Sequence, residues 1–197
     1  DLPLSRGLGD VYKRQIKSPI ILISSKKLLD LQMKKLGFKN KIRLLSVSKL
    51  KFYKLNNKSI NLIDVNYNPD EAFEKISSKS NKFIKNSFEL AFQIIKKNNI
   101  NKFINGPISK KNFLKNKFLG ITEYISEKFL SKNTCMLIFN KKLSVCPITT
   151  HLPLKLVSKK ISKENIIKKV SLINDFYKKK FKFKPRIATV SYTHLRA

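Results

Sequence analysis

The first candidate for chemistry is His151, set in Thr149-Thr150-His151-Leu152-Pro153. An imidazole titrates near neutral pH and is a common metal ligand. The segment follows an apolar run, Leu143–Ile148, that reads as a strand, and α/β enzymes place their sites at the carboxyl ends of strands. A metal site needs three or more protein ligands, and the sequence holds just one other histidine, His194. Cys146 lies within the apolar run, where a free thiol acts as a small hydrophobe. Taken alone, His151 reads as a structural histidine rather than a ligand.

Two further segments could meet an anion. Asn105-Gly106-Pro107-Ile108-Ser109-Lys110 reads as a strand end, a tight turn and a helix start. That sequence can aim backbone N–H groups and a Lys ammonium at one point. Gly120-Ile121-Thr122-Glu123 opens another helix, where Thr122 or its neighbour is expected to cap and Glu123 to complement the helix dipole. Both also describe ordinary connections. The run Lys178-Lys179-Lys180-Phe181-Lys182-Phe183-Lys184 alternates cations with aromatics, as single-strand nucleic-acid platforms do. A solvated helix end entering a partly buried strand gives the same pattern.

The elements that must hold these segments alternate in type. Ile20–Ile23 is a β-branched run after Pro19, hence a buried strand. Ser24 or Ser25 can cap the next helix, with Leu28, Leu29, Met33 and Leu36 on one face and Gly37 as its stop. Strands are expected at Ile42–Val47 and Ile60–Val65, then a turn at Asn66–Pro69. The widest apolar stripe runs from Ser80 to Asn98 through Ile84, Phe88, Ala91 and Ile95, with Phe83, Leu90 and Ile94 beside it. Short strands are expected at Lys102–Asn105, Thr134–Asn140, Leu143–Ile148 and Pro185–Ala188. Ser162 should cap a helix to about Lys180, with Glu164 in its first turn. Strands alternating with helices indicate an α/β fold with a mostly parallel sheet flanked by helices.

Composition narrows the function classes. The 197 residues are 42% hydrophobic with 14 Phe, enough for a core, so intrinsic disorder is excluded despite the charge. No apolar run reaches the ~20 residues of a membrane span. Two cysteines, Cys135 and Cys146, make no disulfide framework and suit a reducing compartment. The net charge of +31 rests on 38 Lys and only five Arg. Nucleic-acid readers favour the bidentate Arg fork, and here Lys is dispersed among abundant Asn and Ile. All three residues have A/T-rich codons, so genome composition explains much of the charge, and nucleic acid is the less favoured partner.

The two ends match each other at the level of DNA. Arg6–Gln15, encoded as CGT GGG CTC GGA GAT GTG TAT AAG AGA CAG, has a reverse complement that reads Val-Ser-Tyr-Thr-His-Leu-Arg-Ala from its third base. Those are residues Val190–Ala197. The inverted match resembles a transposon adapter of a sequencing library, translated in frame. Residues 1–15 and 189–197 are therefore expected to be adapter-derived, with 16–188 an incomplete fragment truncated at both ends. Without the adapters 39 Lys+Arg face 10 Asp+Glu, and the charge is still +29.

The order of the motifs resembles a known family. Asn105-Gly-Pro-Ile-Ser-Lys110, Gly120-Ile-Thr-Glu-Tyr124, Thr149-Thr-His-Leu-Pro-Leu154, Ile161-Ser-Lys-Glu164 and Pro185-Arg-Ile187 are similar to the 4-hydroxythreonine-4-phosphate dehydrogenases of pyridoxal phosphate biosynthesis. The resemblance implies an isocitrate/isopropylmalate-dehydrogenase-like α/β fold, a cytoplasmic homodimer and a small phosphorylated substrate. It implies NAD or NADP as cofactor and a divalent metal ion (Zn, Mg or Co) held by three histidines. It further implies that residues 16–188 come from a two-domain dehydrogenase of the kind that oxidises the C3 hydroxyl of 4-phosphooxy-L-threonine, with loss of CO2 leaving 3-amino-2-oxopropyl phosphate. By position, His151 matches the first metal histidine and Thr122 a substrate-contacting threonine. Ile121 stands where the family has a substrate-contacting histidine. That departure motivates an alternative, a related dehydrogenase for another phosphorylated hydroxy acid such as a phosphoerythronate or phosphothreonate. From a different class, the alternative is a basic nucleic-acid-binding protein.

Overall fold

Three short β-branched segments pair in parallel, as their composition predicts. The computed structural model describes residues 18–115, 117–131, 133–150 and 152–191. They form two compact units that divide between Phe113 and Leu114. In the first unit, strands β1 (Ile21–Ser24), β2 (Ile42–Leu44) and β3 (Ile60–Asp64) form a parallel sheet of order β1-β3-β2. Ile23 pairs with Ile63, and Leu44 with Leu62. A central parallel strand is covered on both faces, and Asn61, Leu62 and Ile63 of β3 are each at most 2% exposed.

Helix α1 (Lys26–Leu36) follows β1 directly. Ser25 is its N-cap, accepting from the Leu28 N–H at 3.3 Å. Gly37 ends it at φ +72°, with the Phe38 N–H reaching back to the Met33 carbonyl at 2.9 Å, the left-handed closure that favours glycine. Asp64, at the end of β3, accepts from the Lys26 N–H at 2.7 Å and so sets a carboxylate at the positive end of α1. The buried Ser25 hydroxyl also donates to the Tyr67 carbonyl at 2.8 Å. Ser25→Ala therefore removes a cap and orphans a carbonyl. We expect a loss of about 2 kcal/mol, read as a lower midpoint in thermal or urea unfolding.

Helix α2 (Ser78–Asn98) is closed by a capping box between Ser77 and Ser80 and ends at Asn99, φ 51°. Its buried residues are Phe88, Ala91, Phe92 and Ile94. Ile94 joins Leu45 and Ile63 in the core, with Ile21, Ile23 and Leu90 packed against them. That is the apolar stripe of the sequence laid on one face of the sheet. A 3-10 segment, Val47–Phe52, connects β2 to β3.

The second unit is helical. It contains α4 (Ile121–Lys128), α5 (Leu154–Lys160) and α6 (Lys163–Phe181), while α3 (Lys110–Leu114) spans the division. Ser162 caps α6 through the Asn165 N–H at 3.3 Å. The Glu164 carboxyl is held below its usual range, first by its own backbone N–H and then by Ser162.

Four expected strands are absent from the described residues. Lys102–Asn105, Thr134–Asn140, Leu143–Ile148 and Pro185–Ala188 pair with no strand, and only the antiparallel bridge Ile138–Val145 forms. Leu143, Val145 and Ile187 are exposed, while the aromatic side chains of the first two runs are engaged in other ways. Phe103 meets Phe88 and Phe92 at 5.8 and 6.0 Å, and Phe139 stacks on Phe181 at 5.1 Å. Ring contacts, not a ladder, hold Lys102–Asn105 and Thr134–Asn140.

Candidate functional site

The site segments are set by helix starts. In the first unit, α3 begins at Lys110, and the Phe113 N–H returns to the Ser109 carbonyl at 2.9 Å. The Ser109 hydroxyl accepts from Asn112 Nδ2 at 2.8 Å, and Asn105 Nδ2 donates to the Gly106 carbonyl at 3.2 Å. Asn105, Gly106, Pro107 and Lys110 are all exposed. The segment is an open turn before a helix, without the strand expected to lead into it. Gly106 has no positive φ, and a Cβ there would meet nothing within 4 Å.

In the second unit, α4 starts two residues earlier than a cap at Thr122 would place it. Gly120 is the N-cap, in extended conformation (φ −162°, ψ 177°) and without a side-chain cap bond. The expected cap at Thr122 is corrected accordingly: Thr122 lies inside the first turn and is exposed. Its backbone carbonyl accepts from Ser126 Oγ at 2.7 Å. Glycine is itself a favoured N-cap residue, and with the cap at Gly120 the helix takes in Thr122. Ile121 is half-buried at the first helical position.

Tyr124 anchors this turn. It is buried, meets Phe118 edge-on at 5.3 Å, and has Lys128 over its ring at 5.8 Å. Glu123 sits in the first turn, as the dipole argument predicts, but one of its oxygens, Oε2, is buried without a hydrogen-bond partner among the described residues. The sequence places Tyr124 within the Gly120–Tyr124 motif but gives it no role; the signal for one was an aromatic two positions after Thr122, on the inward side of a short helix.

His151, the candidate metal ligand, lies outside the described residues, as does His194. Thr149 and Thr150, which lead into His151, are half-buried. Among the described residues no group of three or more His, Cys, Asp or Glu could hold a metal ion. The residues described do not by themselves fit a complete divalent-metal site.

A second polar cluster is structural. Tyr67 Oη donates to Glu74 Oε2 at 2.5 Å, and Glu74 Oε1 accepts from the Asp70 N–H at 2.5 Å. Burial first, then Glu74, pushes the Tyr67 phenol up to about 12. The Tyr67 hydrogen bond first, then the Asp70 N–H, holds Glu74 below its usual range. Glu74 thus supports the fold above the ordinary carboxylate range, and its support fades as pH falls through the lowered value. Tyr67 supports the fold below the ordinary phenol range, and its support fades as pH rises through about 12.

A parallel sheet flanked by helices, with helix starts presenting exposed polar residues, defines an α/β protein of the kind seen in solved dehydrogenases. Crystal structures of a 4-hydroxythreonine-4-phosphate dehydrogenase from Burkholderia phymatum and a putative one from Salmonella typhimurium share this fold. Their TM-scores are 0.68 and 0.69, at 20% and 18% identity, over 84% and 82% of this chain and about half of theirs (50% and 51%). A model of the family described as "Pyridoxal phosphate biosynthetic protein PdxA" matches residues 15–191, and the chain belongs to this family. A 4-hydroxythreonine-4-phosphate dehydrogenase from Sulfurihydrogenibium sp. (strain YO3AOP1) is 35% identical over 189 residues, covering 94% of this chain and 56% of the relative. One from Aquifex aeolicus (strain VF5) is 43% identical over 68 residues, 34% of this chain and 21% of the relative. The chain thus spans little more than half the length of the first of these relatives. No helix among the described residues is long and apolar enough to cross a membrane.

Proposed function

We propose that this chain is part of an NAD(P)-dependent dehydrogenase that oxidises the C3 hydroxyl of 4-phosphooxy-L-threonine in pyridoxal phosphate biosynthesis. The β-keto acid so formed loses CO2 to give 3-amino-2-oxopropyl phosphate. The observation that carries this reading is the family match over residues 15–191, which contains all of the quoted motifs. Thr122, exposed at the start of α4, is the proposed substrate contact. There its hydroxyl can bond a substrate oxygen, and the first-turn N–H groups favour an anion. His151 is proposed as one ligand of a divalent ion, and no chemical step is derived through that ion. The full enzyme is proposed to be a cytoplasmic homodimer with no nucleic-acid or membrane partner.

Residues 16–188 are proposed as the native segment, with 1–15 and 189–197 adapter-derived. Sequencing the gene across both junctions tests this, and genomic codons for Arg6–Gln15 in place would overturn it.

The 197-residue chain by itself is expected to give no NAD(P)+ reduction with 4-phosphooxy-L-threonine. It supplies one matched metal histidine where the resemblance requires three. Absorbance at the reduced-nicotinamide band, with divalent metal added, measures this directly. The same assay on the full-length gene product tests the activity: turnover is expected, and its absence with saturating substrate and either cofactor overturns the assignment.

A further inference from the structure

The two cysteines take no part in the proposed dehydrogenase reaction, and the second unit places them together. The Ile138–Val145 bridge is closed by reciprocal backbone hydrogen bonds of 2.8 and 2.9 Å, which brings the flanking chains side by side. Cys135 precedes the bridge and Cys146 follows it. Both are free and half-buried, and Cys135 is a side-chain neighbour of the Cys146 thiol. Cys146 Sγ also lies 3.8 Å from the Pro147 carbonyl.

A cation completes the cluster. Lys169 of α6 donates to the Thr134 carbonyl at 3.2 Å, beside Cys135. Burial and the neighbouring Cys135 push the Cys146 thiol up, while the charge of Lys169 opposes that rise. The paired chains are further fixed to α6 by Tyr177 Oη on Ser144 Oγ at 2.9 Å and by the Phe139–Phe181 stack. Two neighbouring thiols on bridged chains, half open to small molecules and faced by an ammonium group, are arranged for thiol–disulfide exchange.

We propose that Cys135 and Cys146 are a redox-active pair that closes reversibly to an intramolecular disulfide on meeting a small oxidised disulfide of the glutathione class. Cys135 thiolate attacks one sulfur of the oxidant and expels one small thiolate, leaving a mixed disulfide. Cys146 thiolate then attacks the Cys135 sulfur and expels the second. The two protein thiols lose two electrons and two protons, and the oxidant is reduced to two thiols. Closure needs an S–S distance of about 2.05 Å, reached between two side chains that the bridge already makes neighbours. The new bond would clamp the chain three positions before Thr149, upstream of Thr149-Thr150-His151.

The test uses the full 197-residue chain, reduced, then incubated with glutathione mixtures from fully reduced to fully oxidised. Samples are quenched in acid, alkylated and read by intact mass and non-reducing peptide mapping. The expected product is a monomer two hydrogens lighter, with Cys135 joined to Cys146. Cys146→Ser should trap glutathione on Cys135, and Lys169→Met should slow closure several-fold. The folded chain should close at least about tenfold faster than the same chain in guanidinium, because the fold already positions the thiols. Independent glutathionylation of both cysteines, dimers linked between chains, or equal closure rates folded and unfolded would each overturn the proposal. Circular dichroism of the variants separates lost chemistry from lost folding.

Discussion

In the full-length enzyme, His151→Ala is expected to lower turnover by about a thousandfold or more and to leave the protein with less than its full complement of divalent metal. Losing a residue that merely orients a ligand costs about 10–100-fold in metal affinity or activity, so losing a ligand itself should cost more. His151 stands in Thr149-Thr150-His151-Leu152-Pro153, the most specific of the motifs that match the family. A histidine that only filled space would behave differently. Its replacement would lower the melting temperature but leave metal content and kcat/KM close to the parent's. Metal stoichiometry, melting temperature and NAD(P)+ reduction should therefore be measured on one preparation. Full metal occupancy with kcat within threefold of the parent would remove His151 from the site.

The parts of the chain that could be read without a structure are those whose determinants are local. Ser25, Gly37, Ser162 and the 3.6-residue stripe of α2 act within a turn or two of backbone, and each occurs where expected. Strands were less legible, because a strand exists only when another segment supplies its ladder. β3 found two neighbours and became the core; Thr134–Asn140 and Leu143–Ile148 found a single bridge. Their apolar residues gave the same signal as those of β3. Asn61 shows the converse: a polar residue inside a β-branched run, buried at the sheet centre because its Nδ2 bonds the Ile20 and Asn56 carbonyls at 3.2 and 2.8 Å. At the site, residue types were legible but roles were not. Thr122 read as a cap on propensity, whereas Gly120 holds that position and leaves Thr122 exposed in the first turn. The importance of Ile121 came solely from comparison with the family motif.

Ile121→His in the full-length enzyme is expected to raise kcat/KM for 4-phosphooxy-L-threonine by about 10–100-fold. A hydrogen bond to a charged group is worth about 1.5–3 kcal/mol, and an apolar side chain offers none. The position is suited to the exchange. Ile121 is half-buried at the first helical residue of α4, beside the exposed Thr122, so an imidazole can replace it without opening a core. The positive end of the helix disfavours the imidazolium, so the new side chain should be largely neutral near pH 7, still donating through one ring N–H. If the substrate phosphate is gripped equally before and during hydride transfer, KM should fall while kcat stays constant. If the alternative substrate class is right, the wild-type enzyme should already prefer a phosphoerythronate or phosphothreonate. Ile121→His should then lower that preference while improving 4-phosphooxy-L-threonine. Steady-state kinetics on the substrates for both variants decide between the two. An unchanged kcat/KM for every substrate would mean that residue 121 does not face the substrate, and the residue-by-residue transfer from the family would fail at this position.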